Sequence, residues 1–127
     1  MPENKGAKRI LIVEDSKDMR EIYRTFFKNH SGEYAIEIEG DAQAALQRIK
    51  NTSPDLIVLD IIMEPMTGEA FLVHARHNKT TQDTPIVIVS VLSESILKGI
   101  SRHKNLEFLQ KPITEVQLMG AIKKKIG

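Results

Sequence analysis

Residues 55–60 read DLIVLD, four apolar residues between two aspartates. The run Leu56–Leu59 is short and contains β-branched side chains, which is typical of a strand buried on both faces. Two further runs share this character, Arg9–Val13 and Ile86–Val89. Strands that are apolar on both faces belong to parallel sheets covered by helices on both sides. The sequence therefore predicts an α/β protein built around a parallel sheet.

Helical patterns separate these strands, and two weaker strands complete the alternation. Tyr34–Glu39 alternates in polarity, as a strand at the edge of a sheet does, and Leu106–Leu109 is predicted as the fifth strand. An apolar stripe with helical spacing follows Ser16, which is a suitable helix cap. The other predicted helices begin after Asp41, at the loop ending in Gly68, at Ser93 and after Thr114. The predicted order is (βα)₅.

Five βα units with right-handed crossovers form an open, doubly wound sheet. We expect the flavodoxin-like strand order 2-1-3-4-5 for such a chain. In the fourth helix, residues 93–100, three apolar side chains are expected to face the core: Ile96, Leu97 and Ile100.

The length of 127 residues indicates a single domain. Residues 1–7 are predicted to be a flexible N-terminal arm, and the domain is expected to span residues 8–127. There is no cysteine, so disulfide bonds, thiol catalysis and cysteine-ligated zinc are excluded. No apolar run is long enough to span a bilayer and no signal peptide opens the chain. We therefore expect a cytoplasmic protein without membrane insertion.

The net charge of +1 conceals an uneven distribution. Basic residues concentrate at the two ends, whereas residues 10–122 hold 12 basic and 16 acidic side chains. Nucleic-acid-binding faces usually combine basic with aromatic residues, and aromatic residues are only 5% of this chain. The lysines at 123–125 are more simply interpreted as the favourable C-terminus of a helix. We expect no direct nucleic-acid binding by this domain.

Side chains capable of chemistry follow four of the five predicted strands. They are Glu14 and Asp15 after the first strand, Asp60 after the third, Ser90 at the end of the fourth and Lys111 after the fifth. Doubly wound folds bind ligands beyond the carboxyl ends of their strands, so we expect these side chains to lie together. Each alone is more simply explained as a cap, a turn residue or a buried hydroxyl. Their coincidence at four strand ends favours a functional site.

The residue types indicate phosphoryl chemistry with a metal ion. Three neighbouring carboxylates repel one another unless a cation lies among them. Oxygen ligands without histidine or cysteine suit a hard ion such as Mg²⁺. A cation, an ammonium and a hydroxyl together would bind the three oxygens of a phosphoryl group. Asp60, at the end of the central strand, is the carboxylate best placed to act as the nucleophile.

The ordered set of motifs resembles the receiver domain of two-component response regulators, the family that includes the chemotaxis response regulator. The resemblance runs from about Lys8 to Ile126, and its pieces are ILIVEDS at 10–16, DLIVLDIIMEPMTG at 55–68, IVIVS at 86–90 and FLQKP at 108–112. It implies that Asp60 is the phosphoacceptor. It also implies that Mg²⁺ is held by Glu14, Asp15, Asp60 and the backbone carbonyl of Ile62.

The resemblance further assigns the switch residues. Ser90 and Lys111 would bind phosphoryl oxygens, and Phe108 would turn inward together with Ser90 on activation. A cis peptide bond is expected between Lys111 and Pro112. One departure from the family pattern is Val91, since the residue after the hydroxyl is commonly alanine or glycine. Its bulk is expected to narrow the access to Asp60.

The leading hypothesis is a signalling switch phosphorylated by a histidine kinase or a histidine phosphotransfer protein. Helix 4, strand 5 and helix 5 would present the changed surface to a downstream protein or a fused output domain. The domain would turn over no external substrate. It would also lose its phosphoryl group slowly, because Ile62 and Leu92 have no polar atom with which to orient the attacking water.

Two alternatives remain at this point. The first is a Mg²⁺-dependent aspartyl-phosphate hydrolase of the same fold, although such enzymes have a second aspartate at the position of Ile62. The second is a receiver that docks partners without phosphorylation, against which the intact acidic set argues.

Overall fold

The computed structural model describes residues 6–100 and 103–127, excluding the side chain of Ile100. Strands and helices alternate strictly, as predicted. In order they are β1 (Lys8–Val13), α1 (Lys17–Lys28), β2 (Tyr34–Glu39), α2 (Ala42–Ile49), β3 (Leu56–Leu59), α3 (Gly68–Arg76), β4 (Ile86–Ser90), α4 (Glu94–Ile100), β5 (Leu106–Gln110) and α5 (Glu115–Ile126). The predicted arm, apart from its last two residues, lies outside the described residues.

The five strands form one parallel sheet in the order β2-β1-β3-β4-β5, which confirms the predicted topology. Val13, the last residue of β1, is the register partner of Leu59, the last residue of β3. Leu59 in turn pairs with Ile88 of β4. This register brings the residues that follow β1 and β3 to the same edge of the sheet.

Helices cover both faces of the sheet and create two apolar clusters. Helices α2, α3 and α4 contribute buried residues to the first cluster, and α1 and α5 contribute to the second. Each central strand supplies both clusters in alternation; within β1, Leu11 belongs to the first and Ile12 to the second. Burial on both faces explains why the central strands are continuous apolar runs.

Side-chain oxygens cap the first turns of four helices. The predicted caps Ser16, Asp41 and Thr114 each accept a hydrogen bond from a backbone N–H of the helix that follows. Thr67 caps α3 by accepting from the amide of Ala70, a role that the sequence analysis did not assign. Such caps each stabilise a helix by about 1 kcal/mol.

The expectation that Ile96 faces the core is wrong, because its side chain is 51% exposed. Leu97 is buried as predicted, and the prediction for Ile100 concerns a side chain outside those described. Successive helical residues project about 100° apart, so a short helix that rests on Leu97 turns Ile96 toward solvent. Among the described side chains of α4, Leu97 is therefore the one that reaches the core.

Candidate functional site

Three carboxylates meet at the carboxyl edge of the sheet. Oxygen atoms of Glu14, Asp15 and Asp60 lie within 4.8 Å of one another. Glu14 and Asp60 are almost completely buried, with 1% and 5% exposure, whereas Asp15 is exposed. They line a cleft of about 200 Å³ together with Ser16, Ile62, Val91 and Lys111.

Backbone hydrogen bonds beyond the strand ends hold the buried pair side by side. The amide of Asp60 donates to the carbonyl of Val13 at 3.2 Å, and the amide of Glu14 donates to the carbonyl of Glu39 at 3.0 Å. The sheet pattern thus continues one residue past β1 and β3. The positions of Glu14 and Asp60 are consequently set by the sheet itself.

Each carboxylate also accepts a hydrogen bond from a nearby backbone amide. The bonds are Ser16 N to Glu14 Oε2 at 3.1 Å, Ile62 N to Asp60 Oδ1 at 3.3 Å and Glu64 N to Asp15 Oδ2 at 3.4 Å. These contacts orient all three side chains toward one cleft. They also join the loop after β1 to the loop after β3.

Lys111 is the cation within this cleft. Its Nζ lies 3.1 Å from Glu14 Oε1 and 3.4 Å from Asp60 Oδ2. Its backbone amide donates to the carbonyl of Ser90 at 2.7 Å, so the end of β4 helps to place it. The Lys111–Pro112 peptide bond is cis, the form expected from the resemblance, and the Glu64–Pro65 bond is also cis.

The balance of charge in the cleft is negative. Burial raises the pKa of Glu14, and the neighbouring charge of Asp60 raises it further, while the Ser16 amide and Lys111 act in the opposite direction. Burial likewise raises the pKa of the Tyr23 phenol, with smaller contributions from Glu14 and Asp60. One ammonium does not offset three carboxylates. The cleft therefore has the charge and the oxygen ligands that suit a hard divalent cation.

Gly68 contacts the backbone of Asp60 from the start of α3. A Cβ atom at this position would lie 1.9 Å from the Asp60 carbonyl oxygen and 2.6 Å from the Cα of Ile61. The Gly68 amide donates to the Ile61 carbonyl at 2.8 Å. Only a residue without a side chain permits this approach. From the sequence alone Gly68 is expected only as the last residue of a loop, and this close contact has no local sequence signal.

The two predicted switch residues lie away from the cleft lining. Ser90 is fully buried, and its Oγ accepts from the amide of Leu92 at 3.3 Å. Phe108 is half-buried on the neighbouring strand, packs against the first apolar cluster and lines a second cleft between α4, β5 and α5. Ser90 thus lies under the site, and Phe108 lies toward the surface of α4.

Three apolar residues were expected to influence access to Asp60. Ile62 and Val91 line the cleft and are 53% and 58% exposed. Leu92 does not, because its half-buried side chain packs against the first apolar cluster. Of the two residues expected to leave the attacking water unoriented, Ile62 lines the cleft and Leu92 does not. Val91, from the turn after β4, lines the cleft beside Ile62.

The profile of the response regulator receiver domain matches residues 10–123. This chain therefore belongs to the response regulator receiver family. It is 29% identical over 119 residues to the phosphate regulon transcriptional regulatory protein PhoB of Escherichia coli K12, covering 92% of this chain and 51% of that protein. It is 27% identical over 124 residues to protein PilG of Pseudomonas aeruginosa, covering 97% and 90% of the two chains.

Solved structures show the same fold. The chemotaxis protein CheY4 of Vibrio cholerae superposes with a TM-score of 0.86 at 22% identity, covering 94% of this chain and 99% of that one. The predicted flavodoxin-like fold is thus confirmed by this structural neighbour as well as by the strand order of the sheet. The chain spans about half the length of PhoB. Across the part of the chain that is described, no helix has the length and hydrophobicity needed to cross a membrane.

Proposed function

We propose that this receiver domain accepts a phosphoryl group on Asp60 in a Mg²⁺-dependent reaction and thereby acts as a switch. The observation that carries the proposal is the cluster of Glu14, Asp15 and Asp60, which has Lys111 as its cation. Membership of the receiver family supports the same conclusion. The proposed phosphodonor is a histidine kinase or a histidine phosphotransfer protein in the cytoplasm.

The residues at the cleft fit a magnesium ion. All three side chains offer carboxylate oxygens, and the raised pKa of Glu14 indicates that negative charge there is poorly compensated by the protein alone. Glu14, Asp15 and Asp60 would hold Mg²⁺ together with the carbonyl of Ile62. When bound, the ion neutralises the carboxylates and favours the approach of an anionic phosphoryl group.

Asp60 is the proposed nucleophile. One of its carboxylate oxygens forms a bond to phosphorus while the bond from phosphorus to the donor nitrogen or oxygen breaks, and the donor leaves with that electron pair. Lys111 already reaches Asp60 Oδ2 and would transfer its contact to a phosphoryl oxygen. Ser90 would bind a second oxygen through its hydroxyl. These groups stabilise charge that is spread over the phosphoryl oxygens.

The change of surface would start from Ser90. Movement of its hydroxyl toward the phosphoryl group frees space into which the Phe108 ring can turn. Phe108 borders the cleft between α4, β5 and α5, so its movement would alter that surface. A downstream protein or a fused output domain is the proposed recipient.

The direct test is phosphorylation by acetyl phosphate followed by intact mass measurement. One phosphoryl group should add about 80 Da, since phosphorylation is the chemistry involved. Asp60→Asn or chelation of Mg²⁺ should abolish the gain. A phosphoryl group located on Ser90 or on a histidine would contradict the assignment of Asp60.

A further inference from the structure

Arg20, in α1, makes a contact that the proposed chemistry does not use. Its Nη1 donates to the carbonyl oxygen of Glu14 at 3.1 Å and to that of Asp15 at 2.9 Å. The side chain is half-buried. Both partners are carbonyl oxygens, so this contact differs from an ordinary surface ion pair. A guanidinium bound to two successive carbonyls restrains two successive peptide planes.

Gly40, which follows β2, lies directly against the same guanidinium. A Cβ atom at Gly40 would lie 2.8 Å from Arg20 Nη1 and 3.2 Å from Arg20 Cζ. The backbone of Gly40 is outside the left-handed region, so its conformation alone does not require glycine. The glycine instead provides the space that the guanidinium occupies. The end of β2 thus determines where the Arg20 side chain can lie.

The two restrained peptide planes belong to residues whose carboxylates form the acidic cluster. With the carbonyls directed at Arg20, Glu14 Oε2 accepts from the Ser16 amide and Asp15 Oδ2 accepts from the Glu64 amide. Rotation of either plane would reorient the Cα–Cβ bonds beside it and move the carboxylates relative to Asp60. The separation of the three carboxylates depends on this loop.

We propose that Arg20, seated on Gly40, is a positioning residue that fixes the loop after β1 so that Glu14 and Asp15 are directed at a bound Mg²⁺. The inference rests on the proposed function, because it concerns how the same acidic site is held. It predicts a change in Mg²⁺ affinity opposite in sign to the change that electrostatics alone predicts. Loss of a nearby positive charge should strengthen cation binding, whereas loss of a positioning contact should weaken it.

The experiment is a titration of the full chain with Mg²⁺, followed by the amide resonances of the cleft in NMR spectra. Arg20→Ala should weaken Mg²⁺ binding about tenfold, the lower range for losing a partner that orients a metal ligand. Gly40→Ala should weaken it in the same direction, because the new methyl group displaces the guanidinium while Arg20 remains. The double variant should bind no more weakly than Arg20→Ala alone, since both changes remove one contact.

Two matched controls separate positioning from charge and from the glycine change itself. Arg24→Ala removes the same charge one turn later in α1, where Arg24 pairs with Glu21. Gly32→Ala adds a methyl group that meets no atom within 4 Å. Both should leave the dissociation constant for Mg²⁺ within about twofold. The charge of Arg24 is screened at the surface, and the methyl group of Gly32→Ala displaces nothing. Arg20→Lys keeps the charge and the N–H donors but loses the planar head group that packs against Gly40, and it should give an intermediate affinity.

Thermal unfolding of each variant verifies that it is folded under the conditions of the titration. Tighter or unchanged Mg²⁺ binding by both Arg20→Ala and Gly40→Ala would overturn this inference and leave the proposed function intact. Additive losses in the double variant would also overturn it, because the two residues would then act separately. Wild-type protein that bound no Mg²⁺ would instead overturn the proposed function, and this inference with it.

Discussion

Strand β3 has an aspartate at each end, and the two carboxylates have opposite surroundings. Asp55, before the strand, is exposed and accepts a hydrogen bond from the amide of Arg9 at 2.7 Å. Asp60, after the strand, is buried beside Glu14 and Asp15. The same residue type thus joins two strands at one end of the sheet and contributes to unfavourable charge at the other.

The contrast extends across both edges of the sheet. At the amino edge, Arg76 donates to the carbonyls of Thr81 and Lys104, both at 2.9 Å, and links the segments that lead into β4 and β5. At the carboxyl edge, Lys111 faces more carboxylates than it can neutralise. The hydrogen bonds of Asp55 and Arg76 thus join segments of the chain, whereas the unbalanced carboxylates at the other edge are available to a ligand.

The largest expected difference is in phosphorylation of the two β3 aspartates. Asp60→Asn removes the proposed nucleophile and should eliminate labelling by acetyl phosphate, while Asp55→Asn should be labelled at the wild-type rate. Intact mass measured over time checks both variants. Equal loss of labelling in the two would show that β3 as a whole, rather than its carboxyl end, carries the function.

Next in size is the effect of Gly68→Ala on stability. The added Cβ would collide with the Asp60 backbone, so we expect the free energy of unfolding to fall by about 3 kcal/mol. Gly120→Ala is the matched control in an exposed helix position without neighbours, and it should stabilise the protein by up to about 1 kcal/mol. Urea unfolding measures both. An unchanged free energy of unfolding in Gly68→Ala would mean that α3 adjusts easily beside the site.

Dephosphorylation tests the apolar rim of the cleft. Ile62→Asn introduces a group that can orient water near the aspartyl phosphate, so the decay should accelerate about tenfold, equivalent to roughly 1.4 kcal/mol of barrier. Ile96→Asn changes an equally exposed isoleucine outside the cleft lining and should leave the rate unchanged. A decay time course of the phosphorylated variants distinguishes them. Unchanged decay in Ile62→Asn would show that this side chain does not control water.

A smaller effect concerns the cost of the buried charge. Glu14→Gln should raise the free energy of unfolding at neutral pH without Mg²⁺, because burial and the charge of Asp60 make the ionised form of Glu14 unfavourable in the folded state. Asp55→Asn should lower it by about 1 kcal/mol through the weakened bond from Arg9. Denaturant unfolding with and without Mg²⁺ measures both. Stabilisation by Asp55→Asn, or destabilisation by Glu14→Gln, would reverse the contrast between the two edges.

The smallest effect is at His30, outside the cleft lining. Hydrogen bonds with Glu33 and then Glu115 raise the pKa of His30. Its contribution to stability should be complete below the unfolded pKa of about 6.5 and lost as pH rises through the higher folded value. We expect less than about 1 kcal/mol, because Glu33 is exposed and Glu115 is only half-buried. His30→Gln should remove this part of the pH dependence; an unchanged profile would mean that the contacts do not persist in solution.

The strands and the site residues could be predicted because both depend on short, local patterns. The apolar run at 56–59 indicates a buried strand, and Asp60 follows it directly. In a doubly wound fold this position lies at the carboxyl edge of the sheet, where ligands bind. The contact of Arg20 with Gly40 could not be predicted, because it depends on the path of a long side chain between distant segments. The inward packing of Leu92 could not be predicted either, since the direction of a side chain in a turn is not periodic.

Helix α4 has a mechanical consequence for the output surface. Leu97 is the buried member among its described side chains, those of residues 94–99, and burial of one leucine stabilises a structure by roughly 1.5–3 kcal/mol. The backbone of Asp60, in contrast, packs directly against Gly68 at the start of α3. Changing the ratio of two conformations from 1:99 to 99:1 takes about 5.5 kcal/mol. Because little burial holds α4 in place, a few new contacts would suffice to change its position. Among the described residues, α4 is thus held by fewer buried side chains than α3, and we expect a change at Asp60 to displace α4 rather than α3.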